Sequence, residues 1–566
     1  MTRWEVWAPR ARKVDLLVMT ENGVVRRLPA VSSGDGSWST PAPPVGTDYA
    51  VSLDGGPPRP DPRSRSQPHG VHGFSRWTSV AFPWTDAGFR AQPLSRAVIY
   101  ELHVGTFTPG GTFDAASERL DELATLGVTH VEVMPVVSFP GMRGWGYDGV
   151  DLFSVHVAYG GVEGLRRFVD RAHTKGLAVL LDVVFNHLGP DGNYLADFGP
   201  YFTERHHTPW GPAIDFEGPS SAGVRRFFID NARYWLRDCH LDGLRLDATH
   251  AIYDDSPKHI LAELAEEVKA LSTKLERPLL LITEHEDNEP KLVVPRERGG
   301  DGLDAFWYDD LHHAIHAAFT GERQGYYSSY GSLHDLATTL AGHDGREARR
   351  ARPLGPVDGS RCVACLQNHD QTGNRARGER LSDLVSQGRS RLATALLLTS
   401  PFVPLLFQGE EWGASTPFLY FTDHQDETLA RAVQEGRRSE HASVVGELPD
   451  PQDPATMAHS VLDWAERGFA PHRDVLGWYR ALLALRRELP ELTDGRREAL
   501  QVSVDDHAGT IVIKRGRVTL AGNIGHEAME IDTPRGKLEL AFPEPPRKEG
   551  PRSVLPPDAC ALWVAR

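Results

Sequence analysis

Cysteine is scarce. Cys239, Cys362, Cys365 and Cys560 are the only four in 566 residues, too few for a disulfide framework in a chain this long. Cys362 and Cys365 form one C-x-x-C, but no second pair accompanies it. It sits in the strand-like run RCVACLQ, so core packing is expected rather than zinc or redox work. An excess of positive charge is missing too. A formal net charge of -16 and a sequence pI near 5.9 argue against a phosphate-tracking surface and against nucleic acid as a partner. A neutral or cationic substrate suits such a chain. Long hydrophobic runs are also lacking: the longest, Leu392 to Phe407, is broken by Pro401 and Pro404 and falls short of a membrane span. The N-terminus, MTRWEVWAPRARKVDLLVM, alternates apolar with polar residues and has neither the compact apolar run nor the small-residue cleavage site of a signal peptide. A cytoplasmic protein without membrane association is expected. No dense Asp/Asn cluster of the kind calcium needs is visible, so neither metal nor cofactor is expected.

What is present is ordinary globular material, 40% hydrophobic and 24% charged, long enough for a large core and several domains. Residues 1–92 read as a β-sandwich, from the alternation in WEVWAP and VDLLVM and the turns SSGDGS and LDGGPP. The stretch PPRPDPRSRSQPHG, Pro57 to Gly70, reads as extended and structureless. Over 93–492 the pattern changes to strands alternating with amphipathic helices. The strand-like runs are VIYELHVG, HVEVMPV, LAVLLDVVFNH, GLRLDA, LLLITEH, DAFWYDD, CVACLQNHD and VPLLFQGEE. Helical runs lie between them, among them TFDAASERLDELATLG, ending on Gly127, and a last one stopped by Pro490. That is the count of a (β/α)₈ barrel, so the fold class expected is α/β. Residues 493–566 return to alternation and predict a closing β domain.

The stretch around which the chemistry gathers is DGLRLDATH, Asp242 to His250. Its alternation points Leu244 and Leu246 to one side of a strand and Arg245 and Asp247 to the other. A guanidinium beside a carboxylate favours the charged form, which suits a nucleophile or charge stabiliser. A lone R-x-D is more often a structural ion pair. Three other apolar runs, however, also end in polar clusters that contain an acid: Asp182, Asn186 and His187 in LLDVVFNH, Glu284 in LLLITEHE, and Asn368, His369 and Asp370 in CVACLQNHD. In a (β/α)₈ barrel these strand ends share one mouth. Glu284, with its apolar lead-in, suits the protonated partner of a glycosidase pair.

DVVFNH, GLRLDATH, TEHE and QNHD, in that order, resemble the four signature regions of the α-amylase superfamily of glycoside hydrolases and transglycosidases. Four longer stretches, Gly189 to Gly211, Phe306 to Tyr327, Gln367 to Leu381 and Gln408 to His424, are similar to the malto-oligosyltrehalose trehalohydrolases of that superfamily, and read as loops, where fold alone does not dictate sequence. The resemblance implies that Asp247 is the nucleophile, Glu284 the general acid/base and Asp370 a stabiliser of the transition state. It further implies that Arg245 orients Asp247, that His187 and His369 hydrogen-bond the sugar before the scissile bond, and that Tyr147 stacks on it. Asp182 matches a mostly structural position. Two residues depart from the pattern: Thr283, where alanine is usual, and Tyr308, where a smaller polar residue is expected on the leaving-group side. The implied substrate is malto-oligosyltrehalose, cleaved at the α-1,4 bond next to its terminal trehalose unit, and the implied pathway partner is the synthase that makes it. A pocket for that bent disaccharide is expected from Tyr201 to Trp210, His250, Trp307 to His313 including Asp309, and Trp412 to Tyr420. The alternatives are a glycogen branching or debranching enzyme and a glycan-binding protein without catalysis.

Overall fold

The computed structural model describes residues 3–565 apart from 21, 342–356, 443–445 and 447. Eight parallel strands close a barrel in strict chain order. They are Ile99–Leu102, His130–Val133, Ala178–Val183, Gly243–Leu246, Leu280–Thr283, Ala305–Trp307, Cys362–Cys365 and Val403–Phe407. Closure is made by Val403–Phe407 against Ile99–Leu102, with Leu405 opposite Ile99. Each of the eight strand-like runs supplies one of these strands.

The period-2 alternation decides what each strand shows to either side. Leu244 and Leu246 join the layer packed under the surrounding helices. Ile99, Leu180, Ile282, Ala305, Trp307, Val363, Cys365, Val403 and Leu405 fill the lower lumen instead. Above them the lumen turns polar, with Glu101, Glu132, Asp182 and Arg245 all at 2% exposure or less. All four cysteines are buried and unpaired, as core packing requires.

Helices follow from the apolar periodicity. The run behind the first strand buries Phe113, Leu120, Leu123 and Leu126 as expected, but as two pieces, Phe113–Ser117 and Leu120–Leu126. The Ser117 hydroxyl donates back to the Phe113 carbonyl at 2.8 Å, a bond that competes with the helical ladder. The second piece stops at Gly127, whose φ of 109° favours glycine. Asp309–Thr320 is a helix of twelve residues, which corrects the reading of Phe306 to Tyr327 as a loop. Leu311, Ile315 and Phe319 recur every four residues and are buried, a helical spacing masked by the surrounding Asp and His residues.

Ahead of the barrel, two antiparallel sheets form the sandwich. One pairs Arg3–Trp7, Ser37–Pro41 and Val31–Ser32; the other Val25–Pro29, Val14–Met19, Asp48–Leu53 and Ser75–Arg76. The Pro57 to Gly70 stretch has no regular element but is far from structureless. Asp61 is buried and accepts hydrogen bonds from Trp4 Nε1 at 2.8 Å, Tyr49 Oη at 2.9 Å and the Arg63 amide at 2.9 Å. Composition suggested a loose segment because proline and arginine favour exposure, whereas tertiary partners from two strands hold Asp61 in place here. After the barrel, Leu500–Asp505, Thr510–Arg515, Val518–Asn523, Ala559–Val564 and Lys537–Phe542 form a five-stranded sheet, with a three-stranded sheet beside it. No helix among the described residues is long and apolar enough to cross a membrane.

Candidate active site

Arg245 organises the barrel mouth. Its side chain is wholly buried, pointing into the lumen from the fourth strand, and its Nη1 donates to Asp182 Oδ1 and Oδ2 at 2.9 and 2.8 Å. The same nitrogen donates to Asp247 Oδ1 at 2.8 Å, and Nη2 to Glu284 Oε2 at 2.7 Å. One guanidinium thus ties carboxyl groups from three consecutive strands, over the face of Trp307 at 4.2 Å. Burial opposes this charge, yet the carboxylates around it hold Arg245 well above the ordinary arginine range.

Asp247 receives a second hydrogen bond, from Asn186 Nδ2 to Oδ2 at 2.8 Å, so both of its oxygens are oriented. The chain then turns sharply. Ala248 has φ 38°, a left-handed conformation costly for a residue with a Cβ. Its amide donates to Glu284 Oε2 at 2.9 Å. Thr283, where alanine was the usual residue, bonds Thr249 Oγ1 at 2.6 Å, and Thr249 Oγ1 donates to the Glu284 carbonyl at 2.7 Å. The carboxyl of Glu284 therefore meets a guanidinium and an amide, not the apolar setting that its strand suggested.

Asp370 reaches the mouth from the short helix His369–Gly373, capped by Asn368, whose Oδ1 accepts from the Asp370 and Gln371 amides at 2.9 and 3.1 Å. Burial raises Asp370 above the usual carboxylate range, with Glu284 repelling it further. Asp309, at the start of its helix, is pushed up to about 7 by burial and by Glu284 and Asp370. The mouth therefore holds more carboxyl groups than can all be charged, the condition under which one keeps a proton.

His369 is buried between Tyr147, whose ring stacks on it at 5.1 Å and 22°, and Glu101 on the first strand. Tyr147 Oη lies 2.7 Å from His369 Nε2 and donates to Asp182 Oδ2 at 2.6 Å. His187 bonds Asn186 Oδ1 and stacks on Trp210 at 5.1 Å. Burial lowers the pKa of His187. Trp210 is 48% exposed, and His250 is exposed at the rim, its Nδ1 accepting from the Glu286 amide at 3.3 Å.

These contacts draw Asp247, Glu284, Arg245, Asp182, Tyr147 and His369 into one hydrogen-bonded set, with Asp370 and Asp309 interacting electrostatically with Glu284 beside it. Three aromatic positions expected in a substrate pocket lie elsewhere. Tyr201 is buried against Trp7 of the N-terminal sheet, Trp412 is wholly buried beside Trp464, and Trp307 lies in the lumen under Arg245. Tyr308 faces away from the mouth, with Oη donating to the Thr339 carbonyl at 3.3 Å and its ring against Phe402. Sequence reasoning missed Glu101 and Glu132. Their signal was an acid at an inward position of an otherwise apolar strand.

The chain matches the family model of the alpha-amylase catalytic domain over residues 64–208. It is 48% identical over 562 residues to malto-oligosyltrehalose trehalohydrolase of Arthrobacter ramosus, covering 96% of each chain. Among solved structures, a putative alpha amylase from Salmonella typhimurium superposes with a TM-score of 0.89 at 37% identity, over 100% of this chain and 97% of that one. The branching enzyme GlgB of Mycolicibacterium paratuberculosis is 28% identical over 340 residues, 53% of this chain. With the barrel, its acid-rich mouth and these similarities together, the chain belongs to the malto-oligosyltrehalose trehalohydrolases and is a glycosidase.

Proposed function

We propose that the enzyme cleaves the α-1,4-glucosidic bond next to the terminal α,α-trehalose unit of malto-oligosyltrehalose, with retention of configuration. The observation that carries this reading is the bridging of Asp247 and Glu284 by the two terminal nitrogens of Arg245. Carboxyl groups held by one guanidinium are close neighbours, which suits the ~5–5.5 Å spacing of a retaining pair better than the ~6.5–9.5 Å of an inverting one. In the first step Asp247 attacks the anomeric carbon while Glu284 gives its proton to the glycosidic oxygen, and trehalose leaves. In the second, Glu284 takes a proton from water, the water oxygen displaces Asp247, and the shortened glucan is released.

Asp370 takes the role of hydrogen-bonding the sugar hydroxyls and opposing the positive charge that grows on the ring. Tyr147, His187 and His369 hold the sugar before the bond; Trp210, His250 and Asp309 are offered to the remaining rings. An exposed indole suits a sugar face, and Asp or His at a hydroxyl discriminates by being left unpaired with the wrong sugar. On the same reading the enzyme works in the cytoplasm downstream of a malto-oligosyltrehalose synthase.

Product analysis with purified malto-oligosyltrehalose and a maltodextrin of equal length tests the reading. Trehalose should be released, with kcat/KM at least about tenfold higher on the first substrate, ~1.4 kcal/mol of transition-state discrimination. Equal efficiency on both, or α-1,6 branches formed from amylose, would overturn it in favour of a general α-glucan enzyme or a branching enzyme.

A further inference from the structure

The lumen directly beneath the proposed subsite contains a carboxylate on each of the first two strands. Glu101 and Glu132 are register partners, so both side chains face inward, and each is 1% exposed. Their surroundings differ. Glu101 Oε1 lies 2.5 Å from His369 Nδ1, and Oε2 accepts from the His369 amide at 3.0 Å. Neither oxygen of Glu132 has a hydrogen-bond partner among the described residues. A buried carboxylate without a partner is costly, whereas its neutral acid is much less so. Burial, with Glu101 and Asp182 nearby, raises Glu132 well above the usual carboxylate range.

The donor arithmetic at His369 then fixes its charge. The one proton of Tyr147 Oη is given to Asp182, so at His369 Nε2 the tyrosine oxygen must accept. Glu101 accepts at Nδ1. Both ring nitrogens therefore carry hydrogen, and the ring is an imidazolium. The groups facing it are Glu101 from the first strand, Tyr147 and Trp145 from the segment after the second, Trp307 from the sixth and Asp370 of its own helix, whose Oδ1 is 3.5 Å from Nε2. Asp182, Arg245, Glu132 and His103 lie further out. Burial alone would lower His369; Glu101 and Asp370 reverse this and lift it to about 10.

We propose that Glu101 is a positioning residue of this enzyme: its carboxylate, bonded at once to the Nδ1 and to the backbone amide of His369, fixes both the orientation of the ring and the proton on each of its nitrogens. The consequence for the reaction rests on the reading that Tyr147, which His369 holds through Nε2, contacts the sugar being cleaved. A doubly protonated ring can only donate, so it locks Tyr147 as a donor to Asp182 and keeps Arg245 engaged from the other side. A neutral ring would free one nitrogen to accept, and Tyr147 could reverse its bond.

The test is Glu101→Gln, which keeps an acceptor for the His369 amide and removes the charge. Long-range proton–nitrogen NMR on ¹⁵N-histidine-labelled chain, with His369→Asn for assignment, should find His369 doubly protonated up to about pH 8.5 in the unaltered enzyme. In Glu101→Gln it should be neutral above about pH 7. kcat at neutral pH should fall roughly 10–100-fold, by analogy with the loss that follows removal of the carboxylate behind a metal-bound histidine. The deficit should shrink as pH is lowered and the ring regains its proton. Glu132→Gln should leave the His369 titration and kcat unchanged, and Glu101→Asp should keep the imidazolium while losing activity through misplacement. A neutral His369 in the unaltered enzyme, the same titration in Glu101→Gln, or a shift in Glu132→Gln instead would overturn the proposal. Failure to cleave malto-oligosyltrehalose would sink the proposed function, while the NMR titration would still decide this one.

Discussion

Asp247 and Glu284 share one guanidinium but differ in their second partner, an amide side chain for Asp247 and the backbone of strained Ala248 for Glu284. The first arrangement aims both oxygens of Asp247. The second ties only one oxygen of Glu284 and brings it among acids that repel one another. Asp247→Asn and Glu284→Gln preserve shape and remove the charge or the exchangeable proton, so each should lower kcat by at least ~10²–10⁴-fold. Circular dichroism should be unchanged. A folded variant retaining more than a few per cent of activity would show that its residue is not the nucleophile or the acid. Arg245 would tolerate lysine poorly, since an ammonium lacks the planar fork that reaches three carboxylates in fixed directions.

At the scale of elements, the lower end of the barrel is fastened by residues 77–93, an irregular strap without helix or strand. Asp86 on that strap bonds His173 Nδ1 and His240 Nδ1, each at 2.8 Å, and His173 Nε2 bonds Asp242 Oδ2 at 2.8 Å, where the fourth strand begins. Burial pulls His173 down, but the bonds to Asp242 and Asp86 outweigh it and leave it above its ordinary value. Burial likewise raises Asp86, and the two histidines draw it down to about 2. The Asp86 contribution to stability is therefore complete above the unfolded carboxylate range and constant through neutral pH. That of His173 is complete below the unfolded histidine value and is lost as pH rises through the folded one. His173→Gln should cost of order 1–3 kcal/mol by leaving buried partners unpaired, and the fall in Tm should be larger at about pH 6 than at about pH 9. An equal fall at both would mean that His173 is not charged in the folded chain.

Across the whole molecule, the outer sheets cover faces that the barrel helices cannot bury alone. Helix Gln387–Thr399 is apolar or buried almost all round because the C-terminal sheet lies on its far side, so close that a Cβ on Gly522 would meet Leu392 at 2.4 Å. At the other side Trp7 packs on Tyr201 and on Gly223 of helix Ser221–Arg233, flanked by the Arg63–Asp230 ion pair at 3.1 Å. A Cβ on Gly223 would come within 2.2 Å of the Trp7 ring. Gly223→Ala should therefore destabilise by about 1–3 kcal/mol through overpacking, although alanine in a helix interior would ordinarily gain ~1 kcal/mol over glycine. Chemical denaturation measures the sign, and a stabilised variant would show that the sheet does not seat on this helix.

The sequence by itself determined what is periodic or repeated in kind. Eight apolar runs became eight strands, Leu244 and Leu246 separated from Arg245 and Asp247, and acids at four strand ends met at one mouth, because side-chain direction along a strand is fixed by backbone geometry. Tertiary structure alone decided what depends on partners far away in the chain. It made Tyr201 a seat for Trp7 rather than a sugar contact, buried Trp412, turned Tyr308 outward, held the proline-rich stretch on Asp61 and joined Glu101 to His369 across 268 positions. An aromatic ring or a carboxyl carries the same letter whether it faces a lumen, a neighbouring sheet or water. Burial and hydrogen-bond satisfaction, which separate those cases, are properties of the packed chain.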